Sequence, residues 1–275
     1  MRRFGVDVKI YPKSTCAQAQ VRRFGVDTKR RAALFLLLFL IQSSCFAATF
    51  QSSSRKTLLL EVFSSEGCSS CPPADEWMSG LQKNPGLWKD FVPVIFHVDY
   101  WDKLGWKDRF SSGEYTQRQK RYVNSWGSST LYTPGFVLGG KAWEGWYLSG
   151  NVPVSKERPG ILKMVKNGSG RYEITFTPAA VSPVRLEAHA ALLGFGIRSE
   201  VKSGENAGRT LHHDFIVLDY KHRVMNEKSF SASLELKPPG EIHYEKLGAA
   251  VWITRQEDPQ PIQACGGYLS SSKPG

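Results

Sequence analysis

Nothing in these 275 residues stays apolar long enough to cross a bilayer comfortably. The longest run, residues 32–41, has ten residues, where a spanning helix needs about twenty. No Gly-x-Ser-x-Gly elbow, phosphate loop or zincin helix motif occurs, so hydrolases and nucleotide enzymes of those kinds find no residues here. Cysteine is scarce, five in all. No second CxxC exists to complete a four-cysteine zinc site. Excess base is thin as well: of a formal +11, residues 1–47 hold +7 and the remainder only +4. That distribution argues against charge-driven binding of nucleic acid.

The ten-residue run belongs to a leader. Lys29-Arg30-Arg31 precedes it and Cys45-Phe46-Ala47 follows, giving a basic start, a short apolar core and a small residue at the cut. Ahead of it Arg2-Arg3-Phe4-Gly5-Val6-Asp7 recurs as Arg22-Arg23-Phe24-Gly25-Val26-Asp27, a single duplication that makes no repeat architecture. We read residues 1–47 as this duplicated segment plus a signal peptide. The expectation is an exported, periplasmic or extracellular protein with no membrane span after cleavage. Export places Cys68, Cys71 and Cys265 where disulfides persist, and their odd number leaves one thiol over.

Cys68-Ser69-Ser70-Cys71-Pro72-Pro73 lies between Leu58-Leu59-Leu60-Glu61-Val62-Phe63, a strand-type run, and Ala74, Trp77, Met78 and Leu81, which have helical spacing. Two prolines suit a first helical turn. Cysteines three apart there sit about 5–6 Å apart, close enough for a disulfide. A helix N-terminus also favours a thiolate. Val92-Pro93-Val94-Ile95-Phe96-His97-Val98 completes a strand–helix–strand unit with a parallel pair. A helix is expected from about Asp108 to Trp126, with Phe110, Tyr115, Tyr122 and Val123 inward and the basic run 118–121 solvated. Tyr132-Thr133-Pro134 then leads into Gly135-Phe136-Val137-Leu138 and a Gly139-Gly140 hairpin turn.

With these features, Glu61 to Asp75, His97 to Asp102, Tyr132-Thr133-Pro134, Trp143-Glu144-Gly145 and Gly204-Glu205-Asn206-Ala207-Gly208-Arg209 resemble a family of exported bacterial proteins of unknown function. That family has a thioredoxin-like N-terminal half. The resemblance implies an α/β thioredoxin-like domain over 56–150, with Cys68 attacking, Cys71 resolving from one turn deeper, and a cis Pro134 lining a groove for a partner chain. Thr133 sits beside it. Glu61 takes the part of a buried proton-relay carboxylate, one residue further from Cys68 than in thioredoxins. Glu66 reads as a solvated loop charge or a tuner of the thiol pair.

Residues 151–170 read as a connector with a short helical piece around 161–165. From 171 to 275 the period turns to two, as in Arg171-Tyr172-Glu173-Ile174-Thr175-Phe176, and turn clusters intervene. A mainly antiparallel, sandwich-like β domain is expected. His97, Asp99 and Asp102 read as packing and turn residues, and His212-His213 as surface polar residues, since strand neighbours face opposite ways. No metal site is assigned. Cys265 is a buried thiol, a third redox partner or an intermolecular link.

Three functions remain open on this reading. The first is an exported thiol–disulfide oxidoreductase using Cys68 and Cys71, with no cofactor beyond the dithiol and with a protein thiol or electron donor as partner. The second is a non-catalytic binding or envelope protein with a structural disulfide. The third is handling of a soft ion such as Cu(I) by two thiolates.

Overall fold

The computed structural model describes residues 48–167, 170–180 and 184–269; the duplicated leader lies outside them. β1 (Ala48–Gln51) and β2 (Leu58–Ser64) lead to α1 (Pro72–Gly80), whose first two positions are the two prolines. Then come β3 (Phe91–His97), α2 (Gly113–Ser125), β4 (Gly135–Leu138), β5 (Lys141–Ala142) and the single turn α3 (Gly145–Leu148). The remainder is strand: β6 (Gly160–Lys166), β7 (Arg171–Pro178), β8 (Leu186–Phe195), β9 (Ile197–Glu200) and β10 (Thr210–His213). β11 (Ile216–Val224), β12 (Ser231–Glu235), β13 (Lys246–Arg255) and β14 (Gln263–Tyr268) complete it.

This is not an α/β domain of thioredoxin type followed by a sandwich-like one; that expectation is corrected to a mostly β architecture. The parallel β2–β3 pair is present, in register from Leu58↔Phe91 to Ser64↔His97. It does not close a small α/β sheet. β11 adds to β3 in parallel at Ile216↔Ile95, and the result is one eight-stranded sheet in the order β14-β13-β8-β11-β3-β2-β4-β5. A four-stranded sheet, β1-β6-β7-β12, and the β9–β10 hairpin stand beside it. Among the described residues no helix is long and apolar enough to cross a membrane.

The physical reason is visible in β8, where all ten residues are buried. Leu186, Ala188, Ala190 and Leu192 enter a core with Leu162, Met164, Ile174 and Phe176 of the four-stranded sheet. Ala191, Leu193 and Phe195 enter a second core with Phe63, Phe96, Met78 and Tyr122. A strand covered on both faces belongs in the middle of a sheet, and β8 pairs with β11 and β13.

Other local expectations shift for similar reasons. Residues 160–166 are strand because Leu162 and Met164 point inward around the exposed Lys163, a period of two. The helix expected from Asp108 begins at Gly113, with Ser112 Oγ accepting from Glu114 N at 3.2 Å as its cap. The basic run 118–121 is not uniformly solvated. Arg118 is fully buried; its Nε donates to Glu61 Oε1 at 2.6 Å and its guanidinium lies 4.9 Å from the Trp252 ring centroid. Tyr122 Oη also donates to Glu61. Burial alone would lower the Arg118 pKa, but Glu61 reverses this and holds it raised.

Cys265 lies on β14 opposite Val251, in the core between the two large sheets, with its sulfur 3.9 Å from the Phe50 carbonyl. It is not brought to the CxxC pair, which forms its own disulfide. Burial pushes its thiol far up. Iodoacetamide therefore leaves Cys265 unmodified in the native protein and alkylates it after unfolding in urea. Mass mapping reads both states, and rapid labelling of the native chain would contradict this placement.

Candidate functional site

A sharp strand-to-helix turn carries the disulfide. Cys68 and Cys71 bond with Cα atoms 5.5 Å apart, and Cys71 is the residue before the Pro72–Pro73 start of α1. The Thr133–Pro134 peptide is cis and stands beside the pair. Cys68 Sγ lies 3.8 Å from the Thr133 carbonyl oxygen and 3.3 Å from Ser70 Oγ. Trp101 Nε1 donates to Thr133 Oγ1 at 2.8 Å and fixes that loop. At Gly67 a Cβ would come within 3.1 Å of Trp101 Cβ, so a side chain there makes that tryptophan give by a few tenths of an ångström. Thr133, Pro134, Ser69 and Ser70 reach the surface, yet both cysteines are 0 % exposed.

A loop from the far half of the chain is bonded to this turn. Asn206, itself buried, donates through Nδ2 to the carbonyls of Glu66 at 2.8 Å and Cys68 at 3.0 Å. Glu205 Oε2 accepts from Ser69 N at 3.1 Å and Ser69 Oγ at 2.7 Å. Those bonds lower its pKa. Ser203 Oγ donates to Gly105 O at 2.5 Å. The expectation that Cys68 lies nearer the surface than Cys71 is corrected: both are fully buried. The Gly204-Glu205-Asn206 segment carried the family resemblance, but its position over the cysteines depends on folding of the whole chain.

Glu66 is no solvated loop charge. It is 1 % exposed, with Oε1 3.1 Å from His213 Nε2 and Oε2 accepting from Trp106 Nε1 at 2.7 Å. Burial would raise its pKa, but the His213 hydrogen bond leads the effects that hold it low. His213 is buried while His212 is exposed, as alternation requires. A kink follows: Phe215 has φ 57°, and β10 breaks off before β11. Glu61 is also displaced from its expected role, because Arg118 and Tyr122 occupy its carboxylate.

Behind Glu66 lies a buried polar cluster. His97, at the end of β3, holds Asp108 Oδ2 through Nδ1 at 2.6 Å, and Glu66 N donates to the same oxygen at 2.8 Å. Burial alone would lower the His97 pKa. The Asp108 carboxylate, followed by Asp75 and Glu66, outweighs this and lifts it to about 9. Asp75, on α1, accepts from Ser64 Oγ at 2.9 Å, and burial raises its pKa against the pull of His97 and His213. Asp75, His97 and His213 have donor atoms within 4.8 Å of one another. Asp99 and Asp102 stay outside: Asp99 accepts from Thr116 Oγ1, and Asp102 from Lys107 and Ser111.

Comparison adds fold and family. A crystal structure of a protein from Agrobacterium tumefaciens is similar at TM-score 0.54 and 24% identity, covering 81% of this chain and 98% of that one. HBP35 of Porphyromonas gingivalis is similar at TM-score 0.52 and 15% identity, covering 81% and 78%. At these identities the likeness speaks to fold alone. No curated protein matches the chain. A family model described as a protein of unknown function, DUF1223, matches residues 59–254. That span holds the disulfide turn, its cover and the buried histidines, and the chain belongs to the DUF1223 family.

Proposed function

We propose that the chain is an exported thiol–disulfide exchange protein whose working pair is Cys68–Cys71. The observation that carries this reading is the disulfide at a helix start, with Cys68 Sγ 3.8 Å from the carbonyl of a residue in a cis Thr–Pro peptide. A partner thiolate attacks Cys68 Sγ, the Cys68–Cys71 bond breaks, and its electron pair passes to Cys71 Sγ. A second partner thiol then displaces Cys68; the partner leaves as a disulfide and the pair as a dithiol. The reverse sequence reduces a partner. No cofactor beyond the dithiol takes part, and a protein thiol is the partner on either route. Export rests on Lys29-Arg30-Arg31 and the ten-residue apolar core after it.

One observation favours the second reading, a non-catalytic binding protein with a structural disulfide: neither cysteine is exposed beneath the 203–208 loop. Equilibration with glutathione separates the two. Exchange predicts a reduction potential of roughly −120 to −270 mV, and a value below about −300 mV marks a structural bond and overturns the exchange reading.

A further inference from the structure

We propose that Asp75, His97 and His213 form a binding site for one divalent transition-metal ion of the zinc class. This inference does not depend on the redox reading. Two imidazoles and a carboxylate are a donor set that borderline cations favour. The three residues come from α1, the end of β3 and the end of β10, so only the assembled fold brings them together.

Each ligand is already oriented from behind. Asp108 takes His97 Nδ1, so Nε2 is the ring nitrogen left for a ligand, and an ion binding there displaces the proton it carries. That Nε2 is buried and has no hydrogen-bond partner. Such an orphan costs about 1–3 kcal/mol, and a bound ion removes the deficit. Glu66 takes His213 Nε2 and leaves Nδ1. Ser64 Oγ donates to Asp75. A carboxylate behind each histidine is the support that metal-binding imidazoles ordinarily have, setting the tautomer and the ring angle.

The distances allow closure. The donors lie within 4.8 Å of one another, and tetrahedral bonds of about 2.0–2.1 Å place donors about 3.3 Å apart. Binding therefore draws the three donors closer together. Asp75 also lines a cleft of about 400 Å³ with Glu76, Arg209 and His212, which gives an ion a way in. Three protein ligands leave a fourth position for water or another small ligand, the composition of an open zinc site. A second trio, Glu187, His189 and His222, lacks this readiness: both ring nitrogens of His189 already face hydroxyls, on Tyr220 and Thr254.

The test uses the purified chain with its disulfide intact, verified by the absence of alkylation at Cys68 and Cys71, so that thiolates cannot supply the binding. After chelator treatment, Zn(II) is titrated calorimetrically and the bound metal counted by mass spectrometry. Co(II) is added separately. The expected result is one ion per chain, with visible Co(II) bands of low-coordinate nitrogen–oxygen type and no sulfur charge-transfer band. Asp75→Asn and His213→Gln each weaken Zn(II) binding by a hundredfold or more, and His222→Gln leaves it unchanged. Failure of the unaltered chain to bind one equivalent overturns the proposal. So does equal affinity in a folded Asp75→Asn variant. If His213→Gln does not fold, Asp75→Asn and the Co(II) spectrum of the unaltered chain still decide.

Discussion

Arg118→Met lowers the unfolding free energy by about 3–5 kcal/mol, the usual loss when one member of a buried ion pair is removed. The partner left behind is Glu61, on a strand whose neighbours Leu60 and Val62 are 0 % exposed. Methionine approximates the length and fills the space beside Trp252, so the change isolates the lost charge from a cavity. Tyr122 still donates to Glu61, but one hydroxyl does not replace a guanidinium at 2.6 Å. The measurement is the urea midpoint at constant slope. Glu61→Leu combined with Arg118→Met recovers most of the loss, because two apolar groups leave no unpaired charge. A single-variant loss below about 1 kcal/mol would mean that water hydrates the pair as it does a surface bridge.

The second large effect is kinetic. Asn206→Ala accelerates reduction of the Cys68–Cys71 bond by dithiothreitol by about five- to a hundredfold under native conditions. Asn206 holds the cover to the disulfide turn through two bonds, to the carbonyls of Glu66 and Cys68. At about 0.5–1.5 kcal/mol each, their loss makes opening of the 203–208 loop cheaper by about 1–3 kcal/mol. Each 1.36 kcal/mol is a factor of ten in rate. Quenched alkylation followed by mass spectrometry gives the rate directly. Ser203→Ala, which removes a single bond to Gly105, has a smaller effect. An unchanged rate in Asn206→Ala would show that reductant reaches the sulfurs by another path, such as global unfolding.

What the sequence revealed was what neighbouring residues decide. The apolar runs of β2 and β3, the prolines opening α1 and the Gly139-Gly140 turn are set within a few positions, and each stands where the spacing puts it. The strands of the second half also announce themselves by alternation. Sheet order does not, because a period of two identifies a strand and says nothing of its partner. The buried cluster is hidden for the same reason: Glu66 and His213 meet across most of the chain.

Three signals for the buried polar groups were nonetheless present. Glu61 sits within Leu58-Leu59-Leu60-Glu61-Val62-Phe63, and a carboxylate inside such a run calls for a buried cation. Tyr122, four residues after Arg118 on one helix face, marks that arginine as inward. His97 within Phe96-His97-Val98 carries a similar message. No local pattern marked Asn206 as the residue closing over the disulfide.

The junction of β11 with β3 governs how this chain can be cut and how it emerges. Ile95 waits for Ile216, so a fragment ending near residue 150 would present β3 as a bare edge, with unspent amide and carbonyl groups open to any passing strand. During synthesis the first half is completed before its neighbour exists.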